Sequence, residues 1–297
     1  MNSPPALTVF APAKINLYLH VIARLQNGYH ALDSLIAFTD IGDDIRITPA
    51  QSLQFSVEGP FASGFRPSEL SAEPSSSNLV VKAVWRLAKL YHRSPDIHIH
   101  LTKNLPLGAG IGGGSSDAAA VIWGLLTFWG LPKDDPALMP LLTQLGADVP
   151  VCFSCETARI RGIGDILDPV PDIPETPFVL IYPGAPCPTA DVFMRFGGAF
   201  STAVTLPDDW DHMHGFLQRQ RNDLRDAALE IVPDIRNALN MLETASGCSL
   251  ARLSGSGSSC FGLFDTEDHA HEAAKDIAAE NPDWWVKAGW IGRTQRY

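Results

Sequence analysis

Five glycines fill seven positions of Pro106-Leu107-Gly108-Ala109-Gly110-Ile111-Gly112-Gly113-Gly114-Ser115-Ser116-Asp117, and an apolar run from Ala118 to Leu131 follows at once. Core packing does not account for this, because glycine loses the most backbone entropy on folding. What glycine allows is positive φ and close approach of the backbone to another object. Ahead of a helix N-terminus, successive N–H groups and the positive dipole end hold phosphate oxygens. Ser115 or Ser116 can cap that helix or offer a hydroxyl to a phosphate or its metal. The stretch matches G-x-G-x-x-G (Gly108, Gly110, Gly113), with Asp134 and Asp135 about 20 residues on. The context disfavours a dinucleotide site, since Lys103-Asn104-Leu105-Pro106 separates the glycines from the preceding strand. A Walker loop fails outright, because no Lys-Ser or Lys-Thr follows. A phosphate cradle of a third type is expected.

Pro12-Ala13-Lys14-Ile15-Asn16-Leu17 puts Lys14 and Asn16 on one face of an alternating strand, with Ile15 and Leu17 on the other. Taken alone, Lys14 reads as a solvated edge residue. In Leu145-Gly146-Ala147-Asp148-Val149-Pro150-Val151, Gly146 ends a helix and Asp148 sits in a turn ahead of Pro150. By itself Asp148 is a turn aspartate. Cys152 and Cys155 form C-x-x-C, but no second pair lies at zinc-ribbon spacing and no thioredoxin-like unit surrounds them. His98/His100, His212/His214 and His269/His271 are H-x-H pairs without a third ligand at a defined spacing, so solvated faces are expected. No metal-ligating protein residue is assigned.

These groups need a scaffold. Residues 8–26 alternate as a half-buried strand, and Asn27-Gly28 supplies a tight hairpin turn. The chain returns through Tyr29–Phe38, with a further strand at Asp44–Thr48. Residues 59–77 form a loop, Asn78 caps a helix through Leu90, and Ile97–Leu101 is a strand. Prolines 169, 171, 174 and 177 mark a change of texture, which puts a domain boundary near 155–165. Beyond it come a strand at Phe178–Tyr182, a Pro/Gly-rich stretch at 183–208, and helical patterns at 222–245 and 267–280. Strands at Leu250–Leu253 and Cys260–Phe264 flank the Gly/Ser run Ser254–Ser259. No internal repeat is present. Strands and helices that mix without strict alternation predict α+β layers.

The 297 residues suit about two domains, and 45% hydrophobic content with 19% charged excludes global disorder. The net charge of −11 argues against a basic face for nucleic acid or anionic lipid. The longest apolar run falls short of the roughly 20 residues of a bilayer span. Met1–Pro5 lacks a secretory n-region. Five scattered cysteines make no disulfide framework. A soluble cytoplasmic protein is expected; no residue pattern specifies an oligomeric state. An anionic substrate would be held by local N–H groups and a few placed cations.

With these segments together, the chain resembles the GHMP small-molecule kinases over essentially its whole length. The resemblance rests on Pro12–Leu17, Asn27-Gly28-Tyr29-His30-Ala31-Leu32, Leu105–Asp117, Leu145–Val151, Arg161-Gly162-Ile163-Gly164 and Leu253–Gly262, in that order. The glycine loop and the late Ser-Gly-Ser-Gly are shared across the superfamily. The Gly-Tyr-His hairpin and Gly-Ala-Asp-Val-Pro point to a branch that acts on a cytidine-diphosphate-linked polyol. The resemblance implies ATP-dependent transfer of the γ-phosphoryl group to the C2 hydroxyl of cytidine-diphosphate-linked methylerythritol, an isoprenoid precursor, with Mg²⁺ carried by ATP. A homoserine or mevalonate kinase of the same superfamily is the alternative, and a nucleotide sensor without turnover is a further one.

The fold implied is α+β with two domains, a ribosomal protein S5 domain 2-like N-terminal one and a ferredoxin-like α+β C-terminal one. They would span 1–160, rejoined by a C-terminal strand near 288–297, and 161–287, with the substrate cleft between them. By motif correspondence, the resemblance makes Lys14 and Asp148 the catalytic pair and Pro106–Ser116 the ATP phosphate loop. Lys103 and Asn78 would lie near the nucleotide. Asn16, Tyr29, His30 and Phe193 would bind the second substrate, Tyr29 and Phe193 stacking on cytosine and His30 bonding its edge. A carboxylate is too weak a base to deprotonate an alcohol in advance, but it orients the hydroxyl and accepts its proton late.

Overall fold

The structure, a computed structural model, describes residues 6–293. The leading Met1–Pro5 segment lies outside them, as does the 294–297 part of the expected C-terminal strand. In chain order the elements are β1 (Leu7–Arg24), β2 (His30–Pro49), β3 (Gln54–Glu58), α1 (Leu79–Leu90), β4 (Ile97–Thr102), α2 (Gly113–Trp129), α3 (Leu138–Leu145) and α4 (Val149–Ser154). There follow β5 (Ala158–Gly162), β6 (Ile166–Pro169), β7 (Thr176–Tyr182), α5 (Thr189–Arg195), α6 (Met213–Gln218), α7 (Arg225–Ile231) and α8 (Asp234–Thr244). The chain finishes with β8 (Cys248–Leu253), β9 (Cys260–Phe264), α9 (Glu267–Glu280) and β10 (Trp285–Ile291). Among the described residues no helix is long and apolar enough to cross a membrane.

β1 and β2 form a long antiparallel pair through the Asn27-Gly28 turn, from Leu7↔Ile47 to Arg24↔His30. β2 runs unbroken across 39–43, where two strands were expected; Gly42 and Asp43 pair with β1 and Thr39 with Ile291 of β10, while the β1 register shifts between Pro12 and Lys14. β5 pairs with Leu32–Ile36 of β2, β4 with Asp44–Pro49, and β3 runs parallel to β4. β10, β7, β9 and β8 make the second group of strands. One register pair, Ile291↔Thr39, connects the two groups.

The boundary expected at 160/161 falls inside β5. β5 and β6 pair in the β2 sheet, so the first group of strands continues to Pro169. The strand expected to rejoin the first domain pairs along Trp285–Ile291 with β7 and meets β2 only at its last residue. The helical pattern at 222–245 is two helices, because Pro233 has no N–H to continue α7. The apolar helix begins at Gly113, earlier than its apolar run.

Three apolar clusters fill the molecule, and β1 feeds all of them. Val9 and Ala11 pack with α1 and α2; Ala13, Ile15 and Leu17 with Phe178, Phe261 and Leu263; Leu19 and Val21 with α7 and α8 residues. A strand buried along both faces cannot shift register without exposing one of them. That rigidity is what Lys14 and Asn16 inherit.

Candidate active site

Lys14 and Asn16 are both buried, so neither is an edge residue. The Lys14 ammonium donates to Asn16 Oδ1 at 2.9 Å and lies 3.5 Å from Asp148 Oδ2. Asp148 arrives from the middle of the sequence as the residue preceding α4, whose Pro150 suits the first helical turn. The turn aspartate and the strand lysine therefore face each other across the mouth of a cleft of about 570 Å³.

The glycine loop forms one wall of that cleft, Pro106 through Ser115. Its end is the left-handed Gly112, after which α2 starts without any side-chain cap. The first intrahelical bond runs from Ser116 N–H to Gly112 C=O, so the N–H groups of Gly113, Gly114 and Ser115 have no partner within the helix. A Cβ on Gly112 would sit 2.7 Å from Lys14 Cγ, and one on Gly110 would sit 2.3 Å from the Gly257 carbonyl. Both also hold positive φ. The loop is thus pressed between the lysine and the Gly/Ser run Ser254–Ser259. The Lys14 N–H donates to Ile111 C=O and the Ser259 N–H to Ala109 C=O. Ser254 Oγ accepts from the Asn16 N–H, and Asn222 donates to the Leu253 and Gly255 carbonyls. The second half of the chain braces the loop by these bonds.

Beneath the start of α2, Lys103 donates to Asp43 at 2.5 Å and to Asp117 at 2.7 Å, all three side chains buried. Burial opposes the lysine's charge, but the Asp117 and Asp43 carboxylates outweigh it and hold its pKa above the usual value. Burial, together with the neighbouring Asp43 charge, pushes the Asp117 carboxyl up. Lys103 lines the cleft wall, yet its charge is spent on two carboxylates and none is left for a phosphate. Asn78 caps α1 as expected, its Oδ1 accepting from the Val80 N–H at 2.8 Å. Its neighbour Leu79 lines the cleft. Ser115 lines the cleft too, whereas Ser116 is buried below it with its hydroxyl unpartnered.

At the far end, Phe193 of α5 lines the cleft and lies nearly parallel to His30, ring centroids 5.1 Å apart at 20°. Tyr29, in the hairpin, is 62% exposed and stands outside the lining. Burial and then the Arg24 charge lower the His30 pKa, so its imidazole is neutral at pH 7. Sequence reasoning missed Ser34, Leu32, Ile160, Thr189 and Ser256 in the lining. Ser34 had a weak signal, being on β2 where the hairpin returns past Asn16. Thr189 had none, and Ser256 lay in the Gly/Ser run Ser254–Ser259 without a role of its own; their hydroxyls meet at 2.9 Å between segments far apart in sequence.

Below Ser34, Asp33 is buried and accepts from Arg159 (2.6 and 2.8 Å), the Tyr18 hydroxyl (2.9 Å) and the Val204 N–H (2.8 Å). Burial alone would raise the carboxyl's pKa, but these donors hold it below the usual range. A lowered pKa adds stability that is complete above the unfolded value near 3.9 and is lost as pH falls through the folded value. Asp33→Asn should therefore cost about 1.5–3 kcal/mol at pH 7 in urea unfolding. The gap to wild type should narrow below pH 4; an equal gap at pH 7 and pH 3 would contradict the assignment.

The GHMP kinases N terminal domain model matches residues 78–156, and the GHMP kinases C terminal model matches 210–283. A 4-diphosphocytidyl-2-C-methyl-D-erythritol kinase of Mesorhizobium japonicum is 44% identical, covering 95% of this chain and 94% of that relative. One of Paramagnetospirillum magneticum is 40% identical, covering 95% and 97%. The crystal structure of a 4-(cytidine 5'-diphospho)-2C-methyl-D-erythritol kinase superposes with a TM-score of 0.80 at 30% identity, covering 97% of this chain and 100% of that one. A homoserine kinase of Cytophaga hutchinsonii, at 18% identity and a TM-score of 0.68 over 97% and 95% of the two chains, shares the fold alone. With both domain models matched and full-length relatives at 40–44% identity, this chain belongs to the GHMP kinases, in the branch that these 4-diphosphocytidyl-2-C-methyl-D-erythritol kinases form.

Proposed function

We propose that the chain transfers the γ-phosphoryl group of ATP to the C2 hydroxyl of 4-diphosphocytidyl-2-C-methyl-D-erythritol, in the cytoplasm. The observation that carries this reading is the Lys14–Asp148 pair, 3.5 Å apart, at a cleft walled by unpaired helix-start N–H groups. Phosphoryl transfer passes through a loose transition state, so positioning and charge stabilisation do most of the catalysis. Asp148 orients the acceptor hydroxyl and takes its proton as the bond to phosphorus forms. Lys14 balances the charge gathering beside it, while the 108–115 backbone receives the β- and γ-phosphate oxygens. Lys103 and Asn78 shape the floor and flank of the nucleotide end.

Magnesium fits this site as a companion of ATP. Among the described residues no three His, Cys, Asp or Glu side chains stand together as metal ligands. Ser115 is the loop hydroxyl that reaches the cleft, so phosphate oxygens and water would supply the remaining positions. The ion shields phosphate charge when bound.

His30 and Phe193 favour a nucleobase over a bare polyol at the far end. A neutral imidazole both donates and accepts, as a cytosine edge requires. Tyr29, free above the hairpin, is the outer stacking face, and Asn16 meets the polyol beside Lys14. A coupled assay should show ATP turnover with the cytidyl polyol and none with homoserine or mevalonate. Turnover of homoserine with none of the cytidyl compound would overturn the reading. Phe193→Ala should raise KM for the cytidyl polyol about 5- to 150-fold, from stacking worth about 1–3 kcal/mol per base. KM for ATP should stay within about 2-fold; an equal rise in both would remove Phe193 from the nucleobase end.

A further inference from the structure

Ser34 forms its hydrogen bonds with Asn16 and Tyr18 instead of Lys14, yet it decides which way the lysine's partner points. Its hydroxyl donates to the Tyr18 carbonyl at 2.5 Å, beside the register slip between Asn16 and Tyr18 in the β1–β2 ladder. A serine has one proton to give. With that proton committed, Ser34 Oγ meets Asn16 only as an acceptor, and it takes the Asn16 Nδ2 at 2.8 Å. The amide must then turn its oxygen the other way, where it accepts from the Lys14 ammonium at 2.9 Å. An ammonium has no acceptor, so the flipped amide would set donor against donor at the lysine and acceptor against acceptor at the serine. Both Ser34 and Asn16 are buried, where water cannot compensate a wrong orientation.

We infer that Ser34 is a positioning residue: through the chain Tyr18 carbonyl, Ser34, Asn16, it fixes the Lys14 ammonium at its place beside Asp148. This rests on the phosphotransfer reading of the Lys14–Asp148 pair. Ser34 lies on β2 and Lys14 on β1, and Asp148 precedes α4, so the chain spans the sheet that carries the site. Deleting the hydroxyl leaves Asn16 Nδ2 without its acceptor and frees the amide to rotate. The lysine then samples positions away from the reacting phosphate, which lowers the chemical step and leaves ATP binding nearly unchanged.

Ser34→Ala, Ser34→Val and Ser34→Thr test this, the last two differing in the hydroxyl at nearly equal volume. Turnover should fall about 10- to 100-fold in the Ala and Val variants, with KM for ATP within about 3-fold of wild type. The Thr variant should return to within about 3-fold. In substrate-free NMR the Asn16 side-chain amide hydrogens should exchange slowly in wild type and Thr, and rapidly in Ala and Val. Turnover within about 2-fold in Ser34→Ala, or unaltered amide exchange in it, would overturn the inference. The exchange measurement needs no substrate. A wild type inert toward the cytidyl polyol would therefore strike the functional reading, while the amide signals would still decide the role of Ser34.

Discussion

Asp148→Asn is expected to lower turnover about 10²- to 10⁴-fold while ATP binding stays near wild type. The amide keeps the size and shape of the carboxyl, so the turn before α4 should persist, but it cannot accept the acceptor hydroxyl's proton. Lys14→Met should cost about 10²- to 10³-fold, since the cation offsets charge that grows only in the transition state. The two side chains face each other at 3.5 Å and serve one proton and one developing charge. Their losses should therefore not add: the double variant should be little worse than the poorer single one. Steady-state turnover paired with calorimetric ATP binding reads both quantities. Full turnover in either single variant would remove that residue from the mechanism. Loss of ATP binding equal to the loss of turnover would move it to the nucleotide site.

Lys103→Met should be the most destabilising single change near the site, by about 3–5 kcal/mol in denaturant unfolding at pH 7. The change strands Asp43 and Asp117 together in the interior with no cation. In the wild type the lysine's raised pKa adds stability that is fully present below about 10.4 and fades only as pH climbs past the folded value. In the variant both carboxyls must bind protons to remain buried, so its deficit should shrink as pH falls from 8 to 5. Adding Asp117→Asn to Lys103→Met should recover part of the loss, because it leaves one buried charge where there were two. A pH-independent deficit, or no recovery in the double variant, would contradict the ion cluster. Catalytic loss in Lys103→Met should track unfolding, since its ammonium has no charge left to give a phosphate.

Several parts of this molecule could be read without coordinates. Period-2 alternation placed Lys14 and Asn16 on one strand face, and Asn27-Gly28 announced the hairpin. Asn78 signalled the start of α1, and the glycine run signalled a backbone that must pass close to something. Each of these properties depends on neighbours within a few positions, which is as far as local sterics and capping reach. Within the Pro/Gly-rich stretch at 183–208, to which no element was assigned, Thr189–Arg195 forms α5 with Pro188 as its N-cap.

What the chain order determined by itself was a set of chemically capable segments: a phosphate-sized run of amides, a lysine, an aspartate and an aromatic hairpin. Only the tertiary structure decided which of them meet. It set Lys14 against Asp148, buried Lys103 between Asp43 and Asp117, and laid Phe193 on His30. It also turned β10 to β7 instead of along β2. Periodicity states which face a residue takes, whereas these pairings depend on where distant strands return. That is settled by burying three apolar clusters at once, a sum over the whole chain that no short window contains.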